Sequence, residues 1–282
     1  MKTLLSVIIL TICLSTVHDS KRNVNNRVPQ FSRLINGNPT TIDRFPCMVA
    51  LVKVYQQNSF CGGSIIRKYW VLTAAHCIVN NTKLVKESIL EASDSFKNNQ
   101  VIVRGNTTYD DGSEAYKSDH TVALYLFHEG FYKEGDKITS NDIGLLKVKE
   151  PFTGVYEKTI SINYHEREPA YSPGWGRLQF DPVIRSRRLY YIVRYKVDHT
   201  TCVFHLAMRG VDAEGKLCVF SEYSTACKGD SGGPLIQNNL HLGIVSGGDP
   251  GCFVGNTDVY TNTSSYVNWI KSQIFKHESY IG

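Results

Sequence analysis

Beyond roughly its first 17 residues, the sequence has no stretch approaching the ~18 consecutive apolar residues that a membrane-spanning helix needs. A helical integral membrane protein is thereby excluded. An excess of one charge sign is also missing. The formal net charge of +5 is local, because residues 1–33 hold Lys2, Lys21, Arg22, Arg27 and Arg33 against Asp19 alone. The rest carries 26 basic and 25 acidic groups (31 less five, 26 less one), a balance that argues against nucleic-acid binding. Internal repeats and low-complexity linkers are absent, so length alone suggests one or two domains. Helical periodicity is scarce until the C-terminal end.

The first residues read as a leader covering about 1–17: Lys2 is a basic start, Leu4 to Leu14 an apolar core too short to span a bilayer, and Ser15 to Ser20 a small or polar cleavage zone. The processed product is expected to be secreted, with no membrane attachment, in a compartment where cysteine pairs oxidise. With 42% hydrophobic and 20% charged residues the chain can bury a core without help from a metal. Short alternating apolar runs bounded by Gly, Pro, Asn and Asp, such as Met48 to Tyr55, Val101 to Arg104 and Leu240 to Ser246, predict strands. Val267, Ile270 and Ile274 recur at helical spacing behind Thr263, Ser264 and Ser265 as candidate caps, which predicts a C-terminal helix.

Three segments carry chemistry. In Thr73-Ala74-Ala75-His76-Cys77 an imidazole sits between small residues at the end of the strand Trp70-Val71-Leu72; alone, such a His is as well read as a packed or surface residue. Asn141-Asp142-Ile143-Gly144-Leu145-Leu146 sets a carboxylate before an apolar strand, where a turn Asp is the plainer reading. Gly229-Asp230-Ser231-Gly232-Gly233-Pro234 is more specific: glycines around a serine let backbone approach a substrate and leave the amides of Gly229 and Ser231 to face a developing oxyanion. A serine hydroxyl needs an adjacent base with a pKa near working pH, and imidazole meets that need.

In the order His76, Asp142, Ser231 these segments resemble the chymotrypsin/trypsin family of serine peptidases, from Leu34 to about Phe275. Cys61-Gly62-Gly63-Ser64, Pro173-Gly174-Trp175-Gly176 and Val259-Tyr260-Thr261 agree with it. The resemblance implies an all-β fold of two packed six-stranded antiparallel β-barrels with a C-terminal α-helix, occupying 34–282 with a barrel boundary near 150–160. It implies a serine endopeptidase (hydrolase) with His76 as base, Asp142 orienting it, Ser231 as nucleophile, Gly229 and Ser231 forming the oxyanion hole, and Ser246 bonding the buried Asp142. Residues 18–33 become a propeptide, cut at Arg33-Leu34 so that the new amino group of Leu34 pairs with Asp230. Leu34 departs from the family's Ile or Val.

Of 8 cysteines, Cys13 leaves with the leader. The resemblance pairs Cys61 with Cys77, Cys202 with Cys218, and Cys227 with Cys252, and leaves Cys47 as a buried thiol or an intermolecular bridge. The position matching the family's pocket floor is Thr225, not a trypsin-like Asp. Asp258, where most relatives have Gly, is read either as a turn Asp in Asn256-Thr257-Asp258 or as an unpaired carboxylate projecting into the same S1 pocket, which would favour cationic P1 side chains or take up a proton. Gly248 keeps the wall open to large side chains, so the expected P1 preference is mixed Arg/Lys and aromatic or Leu. Gly247 replaces the family's Trp. Asn80, Asn106 and Asn262 head glycosylation sequons, and the segment Ile78 to Asn99 is a long loop after His76. The family's calcium-loop carboxylates are not evident between Asn106 and Lys117, so neither metal nor cofactor is expected. Expected partners are protein or peptide substrates, an activating protease, and serpins or Kunitz- and Kazal-type inhibitors, the enzyme itself being a monomer of arthropod digestive or venom style. Two other readings stand beside this one: a silent homologue using the barrels as a binding or cascade module, and a lipase or esterase, with whose Gly-x-Ser-x-Gly elbow the serine context disagrees.

Overall fold

The computed structural model describes residues 36–79, 94–134, 137–163, 169–179 and 182–278. The expected leader and propeptide, with Arg33 and Leu34, as well as Asn80 and most of the loop after His76, lie outside these.

Twelve strands form two barrels. The first uses β1 (Met48–Lys53), β2 (Ser59–Arg67), β3 (Trp70–Thr73), β4 (Val101–Gly105), β5 (Ser118–Phe127) and β6 (Gly144–Val148), closed in the ring order β1-β2-β3-β6-β5-β4. The second uses β7 (Ala170–Gly174), β8 (Tyr190–Lys196), β9 (Lys216–Phe220), β10 (Pro234–Gln237), β11 (Leu240–Gly247) and β12 (Asp258–Asn262). Its ring is β7-β8-β9-β12-β11-β10, closed by Tyr195 opposite Phe220 and Lys196 opposite Val219. All pairings within both rings are antiparallel.

Strand periodicity explains how the barrels meet. Every residue of β1 from Met48 to Val52 is buried, and alternation sends Val49 and Leu51 into the first barrel's apolar interior with Leu72, Val103 and Leu145. Met48, Ala50 and Val52 face the other way and pack with Ile42, Trp175, Leu189 and Ile236. A strand buried on both faces is thus the wall between the barrels. The termini strap them together: Asn38–Pro39 pairs with β8 of the second barrel, whereas the C-terminal helix buries Ile270 and Ile274 in the first barrel's core.

That helix (α2, Val267–Glu278) sits where its spacing predicts, but its approach differs. Thr263–Tyr266 forms a 3-10 turn capped by Asn262, whose Oδ1 accepts from Ser264 N at 3.2 Å, so the expected caps Thr263 to Ser265 lie inside the turn. A second helix, α1 (His199–Met208), was not expected. It starts at Asp198, whose side chain accepts from Thr201 N, and Cys202 and Leu206 face inward one turn apart. The signal was a single cap followed by an i, i+4 pair, too short a stripe to stand out among strand patterns.

Three disulfides are formed: Cys61–Cys77, Cys202–Cys218 and Cys227–Cys252. Cys47 is a free, buried thiol whose pKa burial pushes up to about 12. The Asn106–Lys117 loop is organised around side chains of the chain itself. Arg104 donates to Asp110 O at 2.9 Å and binds Asp119 through Nε and Nη2, and Thr107 Oγ1 donates to Glu114 at 2.7 Å. This order has a cost for one expectation. Asn106 is only 6% exposed, its amide donates to Tyr116 O and its Oδ1 accepts from Tyr156 N at 2.8 Å, so no glycan can be attached there without unmaking the turn. Asn262 is half-buried at the helix approach, and the bonds of its side chain to Ser264 are made by Oδ1.

Candidate active site

β3 delivers the chain into a single helical turn, Ala75–Ile78, which His76 shares with the bridged Cys77. The bridge to Cys61 on β2 fixes the turn against the barrel. Asp142 enters from the loop before β6 and is fully buried. Its Oδ1 accepts from the backbone amide of His76 at 2.9 Å and its Oδ2 lies 2.8 Å from His76 Nδ1, so one carboxylate grips both backbone and ring. The second barrel completes its coordination: Ser246 Oγ donates to Oδ2 at 2.7 Å, and Thr261 Oγ1 to the Asp142 carbonyl at 2.8 Å. Burial pushes this carboxyl up, but the adjacent His76, the Ser246 hydroxyl and the charge of Lys216 more than offset it and hold it below the ordinary range. Lys216 was missed in the sequence. It is a buried amine at the start of β9, with no hydrogen-bond partner for Nζ among the described residues and a pKa lowered by desolvation.

Ser231 sits in a turn that only glycine neighbours allow. Gly229 and Gly232 take φ of +108° and +78°, in the left-handed region. A Cβ at Gly232 would overlap Thr73 Oγ1 and the Gly62 carbonyl, and one at Gly62 would come within 3.1 Å of Gly233 Cα. The turn therefore rests directly on the first barrel, where Gly62 N donates to Ser231 O at 2.8 Å. The amides of Gly229 and Ser231 donate to no group among the described residues. No hydrogen bond among the described residues joins His76 to Ser231. Such bonds tighten in the complex with substrate. Cys61, His76 and Cys77 approach one another as metal ligands would, but both thiols are tied up in the disulfide.

Asp230, beside the serine, points away into the second barrel. It is 3% exposed and accepts from Gly176 N at 2.8 Å and Cys227 N at 2.9 Å. Gly174 and Gly176 must lack side chains, since a Cβ at either would overlap its oxygens. Burial raises its pKa to about 7 against the pull of the two amides. No ion pair joins it among the described residues.

The structure corrects the expected S1 chemistry. Thr225, Gly248 and Asp258 do come together, whereas Ser246 bonds Asp142, but Asp258 is not unpaired. Its Oδ2 pairs with Nη2 of Arg194, a residue fully buried on β8. Thr225 Oγ1 lies 3.1 and 3.0 Å from its two oxygens, and Ala226 N donates to it at 3.2 Å. Nor is the space opposite Gly248 open, because a Cβ there would overlap Asp258 Oδ1. Arg194 was legible in principle: Tyr190, Ile192 and Arg194 are the inward series of one strand, and a charge at an inward position requires a partner.

Comparison with known proteins agrees with this architecture. The family model described as Trypsin matches residues 34–270. A trypsin of Sarcophaga bullata is 32% identical over 247 residues, covering 85% of this chain and 88% of the relative. Chymotrypsin-2 of Vespa crabro is 30% identical, covering 84% and 98%. A CLIP domain-containing serine protease B4 of Anopheles gambiae is 30% identical, covering 86% and 71%. Two six-stranded barrels, three bridges and a match across nearly the whole chain lead to one conclusion: this chain belongs to the trypsin family and is a serine endopeptidase of the chymotrypsin/trypsin type.

Proposed function

We propose that the chain is the secreted precursor of an endopeptidase that hydrolyses peptide bonds through an acyl-enzyme. Ser231 attacks the carbonyl, His76 accepts its proton and returns it to the leaving amine, and Asp142 fixes the tautomer and stabilises the imidazolium. The amides of Gly229 and Ser231 hold the tetrahedral oxyanion. The carrying observation is the doubly gripped His76: Asp142 binds Nδ1 at 2.8 Å and the amide at 2.9 Å, which leaves Nε2 for the nucleophile.

The buried Asp230, raised to about 7 and without a counter-ion among the described residues, supports activation by cleavage. An arginine-directed protease cuts after Arg33, and the freed ammonium of Leu34 pairs with Asp230 and orders the turn around Ser231. Asn80 and Asn262 are the sequons offered for glycosylation, and inhibitors of the serpin, Kunitz or Kazal type are the expected protein ligands besides substrates.

The test is fluorophosphonate labelling of the protein before and after cleavage at Arg33-Leu34, with the adduct mapped by mass spectrometry. Modification of Ser231 after cleavage is expected, together with a fall of about 10⁴ in kcat for Asp142→Asn, a size carried over from the trypsin-type triad and not obtained from this geometry. Absence of any adduct after cleavage would mean that the barrels serve as a binding module.

A further inference from the structure

We infer that Arg194 sets the P1 preference: its buried pair with Asp258 closes the recess beside Ser231 to long and to charged side chains, so that cleavage follows small, uncharged residues. The inference rests on the reading that Ser231 is the nucleophile.

Three observations carry it. The first is that the carboxylate's charge is already compensated. Asp258 already meets Arg194 Nη2, the Thr225 hydroxyl at 3.1 and 3.0 Å, and Ala226 N at 3.2 Å. A cationic P1 group would bring a second positive charge towards an oxygen pair that a guanidinium occupies, and would meet repulsion from Arg194. The second is volume. Thr225 and Asp258 have no exposed surface, although Gly248 at the rim is exposed and Ala226 partly so. The Asp258 carboxylate lies where a side chain on Gly248 would go, so it spans from the Thr225 floor to the Gly248 wall and fills the depth that an aromatic or an extended basic side chain would need. The third is fixation. Arg194 on β8 also donates from Nη1 to Ser224 O at 3.2 Å and Asp258 on β12 accepts from Ala226 N at 3.2 Å, so both fully buried members are anchored to the backbone of the Ser224–Ala226 loop and cannot swing aside as a surface bridge would. What remains beside Ser231 is a shallow, uncharged recess for Gly, Ala, Ser, Thr or Val.

The experiment uses the protein cleaved after Arg33 and a panel of peptide amides that differ only at P1: Ala, Ser, Val, Leu, Phe, Lys, Arg and Asp. Wild type is expected to show kcat/KM for Ala, Ser and Val at least about tenfold above Phe, Lys and Arg, a ratio within reach of side-chain fit alone. Arg194→Leu leaves a buried unpaired carboxylate, so the decisive variant is the double Arg194→Leu/Asp258→Gly, which removes both charges together. Fluorophosphonate labelling of Ser231 in that variant shows that it has folded. Its preference is expected to shift by at least about tenfold towards Leu and Phe, whereas Arg194→Lys, which keeps the charge, retains the small-residue profile. A wild type that favours Lys, Arg or Phe, a flat profile, or a double variant with the wild-type profile would each overturn the inference and leave the protease reading intact. Cleavage of no peptide combined with no labelling of Ser231 would overturn both.

Discussion

The two barrels close their six strands in the same ring order, but they are filled with different material. The first is packed with hydrocarbon: Val49, Leu51, Leu72, Val103 and Leu145 are all without exposure and belong to one apolar cluster. The second keeps a smaller apolar cluster around Leu217, Val219, Leu235 and Val245, and puts Arg194, Asp258 and Asp230 in the same interior. The same backbone plan thus serves two purposes. An interior held by dispersion and water exclusion tolerates no change of volume, whereas one held by paired charges tolerates no change of partner. Chemistry accumulates where the second kind of interior opens towards the cleft.

Breaking a charge in the second barrel should have the larger effect. On a Ser231→Ala background, which prevents self-digestion, Arg194→Leu is expected to cost about 3–5 kcal/mol in urea unfolding, because Asp258 is left buried and alone. Adding Asp258→Gly should recover most of that loss, and a double variant no more stable than the single one would show that the pair is not the cause. The matching change in the first barrel, Leu145→Ala, should cost about 2–5 kcal/mol by cavity formation, with no second-site charge change able to restore it. A loss under about 1 kcal/mol there would mean that the hydrocarbon interior collapses readily onto the void.

The smallest expected effect sharpens the contrast through pH. Burial lifts Asp230 from its ordinary 3.8 to about 7, so between those values the folded chain binds one proton more than the unfolded chain. Stability contributed by the protonated group is therefore complete below 3.8 and lost as pH rises through the window to about 7. Uncleaved protein should lose about 2 kcal/mol relative to Asp230→Asn between pH 5 and pH 7. In protein cleaved after Arg33, a Leu34 ammonium paired with Asp230 as proposed would remove that slope. Parallel stability curves for wild type and variant before cleavage would contradict the assignment.

The parts of the molecule that were legible in the sequence are those written in local pattern. β1, β4 and β11 announced themselves as short apolar runs bounded by turn residues, and the serine turn by glycines whose positive φ values are now seen at Gly229 and Gly232. The parts that were not legible depend on what meets across the barrel. Asp258 stood out as a carboxylate in an apolar place and Arg194 can be read as an inward charge on its strand, but the pairing of the two spans 64 positions, which no local window covers. Asn106 carries a valid sequon, yet the sequon rule has no term for an amide buried in its own turn. The helix at His199–Met208 follows a lone Asp198 cap, and its mostly exposed surface, with Phe204 and Met208 outward, hides the amphipathic stripe that would have marked it.

The grip on Asp142 also dictates when, during synthesis, the chain can become dangerous. His76 and Asp142 emerge early, but the hydroxyls that close around Asp142 belong to Ser246 and Thr261, and the strands that carry them follow Ser231 itself. A nascent polypeptide carries only half of the catalytic seam until its last fifth has been made. Order of translation therefore acts as a safeguard of its own, and it needs no inhibitor to protect the machinery that makes the chain.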